Sequence, residues 1–225
     1  MPRSLLLVGA GGFGRETAEA VRAVNERRPT WRLLGFLDDD PGLVGAQVGG
    51  VAVLGPVADV ARYPDAQVIV CTGHPGNYFS RKRIVRRLGL AADRYATVVH
   101  PAAVIPPSCR IGQGSVVLAA TVATTAVEVG RHVAVMPGVV FTHDDVVGDF
   151  ATFGAGARLA GRVRIGQGAY VGSGALVREQ RSVGAWSLVG MGSVVTADIP
   201  AGEVWTGVPA RRLRTLAVPH DVAGG

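Results

Sequence analysis

Three components are scarce in this 225-residue chain, and each scarcity excludes a class of protein. With only two cysteines, Cys71 and Cys109, the chain has neither a disulfide framework nor the paired cysteines of a structural zinc site. Aromatic residues are 6% of the total, and no uninterrupted apolar run reaches the roughly 18 residues of a membrane-spanning helix. Residues 1–12 run straight into a glycine loop, which favours a buried strand over a signal peptide. We therefore expect a cytoplasmic protein with no metal centre and no membrane contact.

Lysine is also scarce, because Lys82 is the only one among the 23 basic residues behind a formal net charge of +6. The one dense basic run, Arg81-Lys82-Arg83 with Arg86-Arg87, has no interleaved aromatic residues. It predicts a solvated helix face and no nucleic-acid partner, with contact to a phosphate group as the alternative. The net positive charge still favours an anionic substrate such as a nucleotide or coenzyme A.

Glycine, by contrast, is abundant at 32 residues, and much of it lies within a six-residue repeat. Every sixth residue from Val99 to Val195 is apolar, without an insertion, and we call these residues the marked positions. Glycine often follows a marked position directly, and a small residue often lies four places after it. A helical period of 3.6 residues does not stay in register with such a repeat, whereas a triangular coil of three hexads does. The sequence therefore predicts a parallel β-helix with one apolar side chain per hexad inside it.

The first 95 residues lack this repeat and alternate strands with a helix. A predicted strand at residues 5–8 leads into the loop G-A-G-G-F-G at 9–14 and a helix at 15–24. The next predicted strand, at 33–37, ends in three aspartates, and a third lies at 67–71. This order is typical of a Rossmann-like nucleotide site. Its length suits a mononucleotide or nucleotide sugar better than NAD; the alternative is a vestigial domain whose glycines only pack a tight turn.

These patterns divide the chain into three parts. We expect an α/β Rossmann-like half domain for nucleotide or nucleotide-sugar binding at residues 1–95, a parallel β-helix domain at 96–214 and a polar C-terminal tail at 215–225.

His143 is the strongest candidate for a catalytic residue. It lies two places after the marked Phe141, near a predicted corner of the coil, and Asp144 follows it. A carboxylate beside an imidazole can orient the ring and stabilise its protonated form, which suits a general base. Neighbours in a strict strand face opposite ways, so this pairing requires the geometry of a corner. The alternative is a solvated corner residue, which is also what we expect of His132.

No nucleophile of a covalent mechanism is evident. The chain has no G-x-S-x-G sequence. A direct reaction without a covalent enzyme intermediate is therefore the mechanism that fits.

Residues 3–214 resemble one group of hexapeptide-repeat acyltransferases, the sialic acid O-acetyltransferase and bacillosamine-pathway sugar N-acetyltransferase family. The resemblance implies a left-handed β-helix, acetyl-CoA or another acyl-CoA as co-substrate, a nucleotide-sugar acceptor, and a homotrimer with active sites between subunits. The motifs that carry it are Gly9-Ala10-Gly11-Gly12-Phe13-Gly14, Phe36-Leu37-Asp38-Asp39, His143-Asp144, Val147-Gly148-Asp149-Phe150, Ala160-Gly161-Arg162-Val163 and Gly207-Val208-Pro209-Ala210.

The same resemblance implies roles for individual residues. His143 would take the proton from the acceptor, Asp144 would raise its basicity, and the backbone N–H of Gly161 would hold the thioester oxyanion. The remaining matches fall into two sets: Thr152, Ser173 and Met191, with Gly161, for acyl-CoA; and Gly11, Gly12, Phe13, Asp38, Asp39 and Gly73 for the nucleotide.

Three positions depart from the family pattern. Phe13 stands where a histidine is usual, Met136 where the sugar enzymes generally carry asparagine, and Asp144 where glutamate is usual. The first two remove polar groups from the expected acceptor pocket. We therefore predict an acyl-CoA-dependent transferase acting on an amino or hydroxyl group of a nucleotide-activated sugar. The alternatives are the same chemistry on a natural-product or non-nucleotide sugar acceptor, and a non-catalytic β-helix binding protein.

Overall fold

The N-terminal half is a sheet with a helix on each face, and the structure, a computed structural model, describes residues 1–223. The elements are β1 (Arg3–Val8), α1 (Gly12–Arg27), β2 (Trp31–Leu37), β3 (Gln47–Val48), β4 (Val51–Gly55), β5 (Gln67–Val70) and α2 (Ser80–Leu88), with 3₁₀ turns at Pro41–Leu43, Val57–Arg62 and Ala92–Arg94. The strand order is β3-β4-β2-β1-β5, parallel except for the β3–β4 pair. Alternate residues of β1 face opposite helices, so Leu5 and Leu7 pack with α1 while Leu6 and Val8 pack with α2.

The predicted strands and the first helix are present, but the helix starts inside the glycine loop, at Gly12, and not after it. The β3–β4 hairpin is an addition that the sequence pattern did not indicate.

The second half is a three-sided column of two-residue strands. Strands 18 residues apart pair in parallel, as Ala134 does with Thr152, so one coil contains three hexads. Face 1 consists of Arg110–Ile111, Glu128–Val129, Val146–Val147, Arg164–Ile165 and Ser182–Val183. Face 2 consists of Val98–Val99, Val116–Val117, Ala134–Val135, Thr152–Phe153, Tyr170–Val171 and Leu188–Val189, and the closing hairpin Glu203–Gly207 and Ala210–Thr215. Face 3 consists of Val122–Ala123, Val140–Phe141, Arg158–Leu159, Leu176–Val177 and Val194–Val195.

The marked positions fill the column. From Val117 to Val195 every marked side chain is at most 4% exposed. From Gly114 to Gly192, the residue three places after each marked position turns the corner with a positive φ, between 51° and 76°. Eight of these corner residues are not glycine, so the stacked coils hold a backbone conformation that most side chains disfavour. The predicted fold class, an α/β half domain followed by a left-handed parallel β-helix, is confirmed.

Three edges separate the faces, and we name two of them. The His143 edge, between faces 3 and 1, has its corner residues at 126, 144, 162 and 180. The Met191 edge, between faces 2 and 3, has them at 120, 138, 156, 174 and 192. The N-terminal half packs on face 2, where Val98 and Val116 join the cluster that α1 forms with the sheet.

The basic run on α2 is not simply a solvated face, which corrects the expectation from sequence. Arg81 and Lys82 are 1% and 5% exposed. The Arg83 guanidinium pairs with Asp221 at 2.7 Å, and Lys82 Nζ donates to the Val222 carbonyl at 2.8 Å. The run therefore fastens the C-terminal helix α3 (His220–Ala223) to α2.

Candidate active site

His143 and Asp144 form the turn at the corner that follows the strand Val140–Phe141. Asp144 has a φ of 63°, and this left-handed conformation brings its carboxylate to the preceding side chain. His143 Nδ1 lies 2.9 Å from Asp144 Oδ2, and the two side chains are 54% and 50% exposed. The corner geometry that the pairing requires is therefore present, and the pair faces outward from the column.

Asp144 is held as a carboxylate. Its hydrogen bond with His143, followed by the charges of His143 and Arg162, lowers its pKa below the ordinary value. Arg162 Nε lies 3.6 Å from Asp144 Oδ2, one coil further along the His143 edge. A carboxylate at Oδ2 can accept the Nδ1–H of the ring, which leaves Nε2 without a proton and able to accept one.

Gly161 lies directly beneath the imidazole. A Cβ built on Gly161 would overlap His143 Nε2, so no other residue fits here with the ring in place. Within residues 1–223 the Gly161 N–H donates no hydrogen bond, while the neighbouring Arg162 N–H donates to the His143 carbonyl at 2.9 Å. The free backbone donor is thus close to the nitrogen that would act as base.

A second candidate site is a cavity of about 630 Å³ between the glycine loop and face 2. Met136 is the β-helix residue among those that line it. The lining includes six residues predicted for the nucleotide or acceptor: Gly11, Gly12, Phe13, Asp38, Gly73 and Met136, together with Glu16, His74 and Asn77.

Helix α1 begins at this cavity with Gly11 as its N-cap and without a side-chain cap. The unpaired N–H groups of the first helical turn and the helix dipole favour an anion there, as in phosphate sites. Asp38 fixes the loop, because its Oδ2 accepts the Ala10 N–H at 2.8 Å.

Asp39 lies elsewhere. It lines a separate cavity of about 140 Å³, where Oδ1 accepts the Val57 N–H at 2.9 Å and Oδ2 accepts from Arg87 Nη2 at 2.6 Å. Its predicted contact with a nucleotide stays a prediction.

The residues predicted for acyl-CoA are separated within one chain. Ser173 and Met191 lie one coil apart on the Met191 edge, and both are exposed, Met191 to 77%. Thr152 lies on face 2 at 1% exposure, and its Oγ1 accepts from Arg81 Nη2 at 2.7 Å. The structure therefore gives Thr152 an internal partner, and its contact with acyl-CoA stays a prediction.

Sequence reasoning missed two buried residues at these sites. Arg81 donates to the carbonyls of Thr72, Phe150 and Ala151 as well as to Thr152, which fastens the loop after β5 to face 2. Asp145 is fully buried directly after the His143–Asp144 pair. The sequence contained a signal for this residue, because Asp145 is a carboxylate at a position of the repeat that points inward. His132 is likewise buried, at 6% exposure, where an exposed corner was expected.

Residues 1–223 contain no cluster of three or more His, Cys, Asp or Glu side chains suited to a metal ion. Over the same range, no helix combines the length and apolar character needed to cross a membrane.

Known proteins match nearly the full length of this chain. Residues 4–88 match the family model of the PglD N-terminal domain. The acetyltransferase domain of PglB from Neisseria gonorrhoeae FA1090, also solved in complex with acetyl coenzyme A, is 32% identical, with a TM-score of 0.83 over 94% of this chain and 100% of that domain. PerB from Caulobacter crescentus, solved with CoA and GDP-perosamine, is 28% identical, with a TM-score of 0.82 over 94% of this chain and 97% of that one.

A curated relative is the UDP-N-acetylbacillosamine N-acetyltransferase of Bacillus subtilis (strain 168), which is 34% identical over 121 residues. The aligned stretch spans about half of each protein, 52% in both cases.

Proposed function

We propose that this chain transfers an acetyl group from acetyl-CoA to an amino or hydroxyl group of a nucleotide-activated sugar. The chain belongs to the hexapeptide-repeat family of sialic acid O-acetyltransferases and bacillosamine-pathway sugar N-acetyltransferases. The observation that carries the proposal is the His143–Asp144 pair seated over the free N–H of Gly161. The substrates named for PglB and PerB support the choice of donor and acceptor.

The reaction needs no covalent enzyme intermediate. The acceptor nitrogen or oxygen attacks the thioester carbonyl while His143 Nε2 takes its proton, so the new N–C or O–C bond forms as the proton leaves. Asp144 stabilises the imidazolium, and the Gly161 N–H donates to the developing oxyanion, a contribution of about 3 kcal/mol for one such donor. When the C–S bond breaks, the imidazolium returns the proton to the CoA thiolate. A cytoplasmic location is part of this proposal, and the use of acetyl-CoA as donor supports it.

The acceptor would occupy the 630 Å³ cavity, with its phosphates at the N-terminus of α1. Phe13 and Met136 make the wall near the β-helix apolar. This wall also favours the second candidate function, acyl transfer to a natural-product or non-nucleotide sugar acceptor.

The site is completed by other copies of the chain, and we propose a homotrimer. The outward side chains of face 3 are mostly apolar: Leu176 is 43% exposed, and Val104, which pairs with Val122 at the start of the face, is 59% exposed. Three columns that pack face 3 around a threefold axis bury this stripe and place the His143 edge of one copy against the Met191 edge of the next. His143 would then face Ser173, Met191 and the cavity beside Met136 of the neighbouring copy.

The proposal is tested by thioester consumption with acetyl-CoA and a panel of UDP-, GDP- and dTDP-linked amino sugars. We expect turnover with at least one of them, and a fall in kcat of about 10²–10⁴ for His143→Ala with CoA binding retained. His220→Ala, at an exposed position, is the control and keeps wild-type turnover. Wild-type activity in His143→Ala would remove His143 from the mechanism, and calorimetry that finds no nucleotide bound would favour the alternative acceptor.

A further inference from the structure

The turn that carries His143 contains a buried carboxylate. Asp145 lies four places after Phe141, at an inward position, and is 0% exposed. Equivalent positions on the other coils hold mostly small or aliphatic side chains: Ser115, Thr121, Val127, Val133, Val139, Ala151, Ala157, Val163, Ala169, Ala175, Ser187 and Ser193. An acid at such a position needs a specific use, because burying an unpaired charge is unfavourable.

Both oxygens of Asp145 accept backbone hydrogen bonds. Oδ1 accepts the Val163 N–H at 2.8 Å, and Oδ2 accepts the Thr142 N–H at 2.8 Å. Val163 follows Gly161 and Arg162 on the next coil, while Thr142 precedes His143. The carboxylate thus joins the turn that carries the base to the turn that carries the oxyanion donor.

The bond to Val163 has a counterpart on another coil, where the acceptor is a serine. Ser115 Oγ accepts the Val133 N–H, also 18 residues ahead, at 2.9 Å. A hydroxyl is therefore sufficient for the link between coils. What a carboxylate adds at this position is a second acceptor oxygen, and that oxygen binds the Thr142 N–H.

Thr142 is the place where the backbone ladder is interrupted. From Gly112 to Arg178, the residue directly after each marked position donates its N–H to the carbonyl 17 residues ahead, as Thr124 does to Phe141 and Ala160 does to Val177. Thr142 alone does not, and its N–H is turned to Asp145 instead. Its hydroxyl has no hydrogen-bond partner within the described residues, so the carboxylate is what holds this residue.

We propose that Asp145 is a positioning residue, whose carboxylate holds the displaced Thr142 and so fixes the turn that seats His143 over Gly161. The proposal rests on the proposed function of His143 as the base. The Asp145 charge has His143 and Asp144 near it on its own turn, and the next coil presents the Val163 N–H and Arg162, which pairs with Asp144. Burial raises the pKa of Asp145 to about 6, so near neutral pH both oxygens accept, whereas protonation replaces one acceptor by an O–H.

The test compares two serine-related variants. Asp145→Ser keeps an acceptor for Val163, as Ser115 shows, and removes the one for Thr142. Ser115→Ala removes a link between coils far from the site and serves as the control. We expect kcat to fall by about 10- to 100-fold in Asp145→Ser with the KM for acetyl-CoA within about twofold, the loss typical of a misplaced base. Ser115→Ala lowers the melting temperature and keeps kcat.

The pH profile separates positioning from plain stability. In the wild type, protonation of both His143 and Asp145 lowers kcat/KM, so the acid limb approaches a slope of two; in Asp145→Ser it has a slope of one. If Asp145→Ser does not fold, Asp145→Asn, which keeps one acceptor oxygen, takes its place with the same expectations. A kcat within twofold of the wild type in the folded variant, or an unchanged slope, would overturn the proposal.

A readout that needs no turnover distinguishes this proposal from the proposed function. With ¹³C-labelled histidine, assigned through His143→Asn, the His143 ring signal of the wild type should show an additional inflection near pH 6 that Asp145→Ser lacks. If no sugar nucleotide is acetylated yet this inflection is present, the function fails while the coupling stands. If turnover is found and the ring signal is the same in both proteins, Asp145 does not position His143.

Discussion

His132 is expected to make the protein less stable as the pH falls from 7 to 5. Its ring stacks on Phe150 with the ring centroids 5.0 Å apart and forms a T-shaped pair with Tyr95 at 4.6 Å, and within residues 1–223 its buried Nδ1 has no hydrogen-bond partner. Burial first, and then the positive charges of Arg81 and Arg131 against the opposing charge of Asp149, lower the pKa of His132 from 6.5 to about 4. The folded protein therefore excludes a proton that the unfolded chain binds.

The direction and the size of the change in stability follow from proton linkage. Because the folded-state pKa is below the unfolded one, the stability that neutral His132 provides is complete above pH 6.5 and is lost as the pH falls toward 4. A difference of that size corresponds to a loss of about 2 kcal/mol by pH 5 and about 3 kcal/mol once the pH is below 4.

Phenylalanine is a suitable replacement. His132 is a corner residue with a φ of 56°, and the corresponding residues of the next coils include Phe150 and Trp186 at 63° and 59°. His132→Phe should therefore keep the backbone and the stack. The effect is measured by urea unfolding of both proteins at pH 7 and pH 5, at equal protein concentration. Relative to the wild type, the unfolding free energy of His132→Phe should be about 2 kcal/mol higher at pH 5 than at pH 7.

Comparing the wild type with His132→Phe cancels the contributions that other titrating groups make to the pH dependence of stability. Asp145 has a raised pKa and so contributes with the opposite sign in this range, but it is present in both proteins. Equal losses of stability in the wild type and His132→Phe between pH 7 and pH 5 would refute the reasoning.

Three further predictions follow from single contacts. Gly161→Ala should displace the His143 ring and lower kcat by about 100-fold in a steady-state assay, with unchanged circular dichroism; full activity would show that the ring sits elsewhere during turnover. Arg81→Met should lower the unfolding free energy by about 3 kcal/mol in denaturant titrations, because it removes the donor to the Thr152 hydroxyl and to the Thr72 and Phe150 carbonyls, while the Ala151 carbonyl keeps the Ala134 N–H; a loss under about 1 kcal/mol contradicts this. Leu176→Glu should give a monomer by light scattering and less than a tenth of wild-type activity, and an active monomer would exclude a composite site.

The architecture could be predicted because it depends on local and periodic signals. The marked positions from Val117 to Val195 are buried because a narrow column admits one apolar side chain per hexad, and that rule is visible in the sequence. The glycine loop before α1 is a similar local signal. Arg81 could not be foreseen as a link between the two halves, since its acceptors lie about 70 residues away at Phe150, Ala151 and Thr152. A basic run on a helix has the same pattern whether its side chains are solvated or buried.

The site was partly predictable for a related reason: in a repeat, exceptions carry information. His143 and Asp144 were found as a polar pair at a corner, and Asp145 is the one acid four places after a marked position. The sequence alone did not explain that acid, because its meaning depends on the Thr142 N–H leaving the ladder, which is a property of the folded backbone. The interrupted bond, the buried carboxylate and the glycine beneath the imidazole occur within two adjacent coils. Each of these three features is unfavourable in a regular coil. Because all three occur beside His143, we interpret them as adaptations of the β-helix to the position of this one side chain.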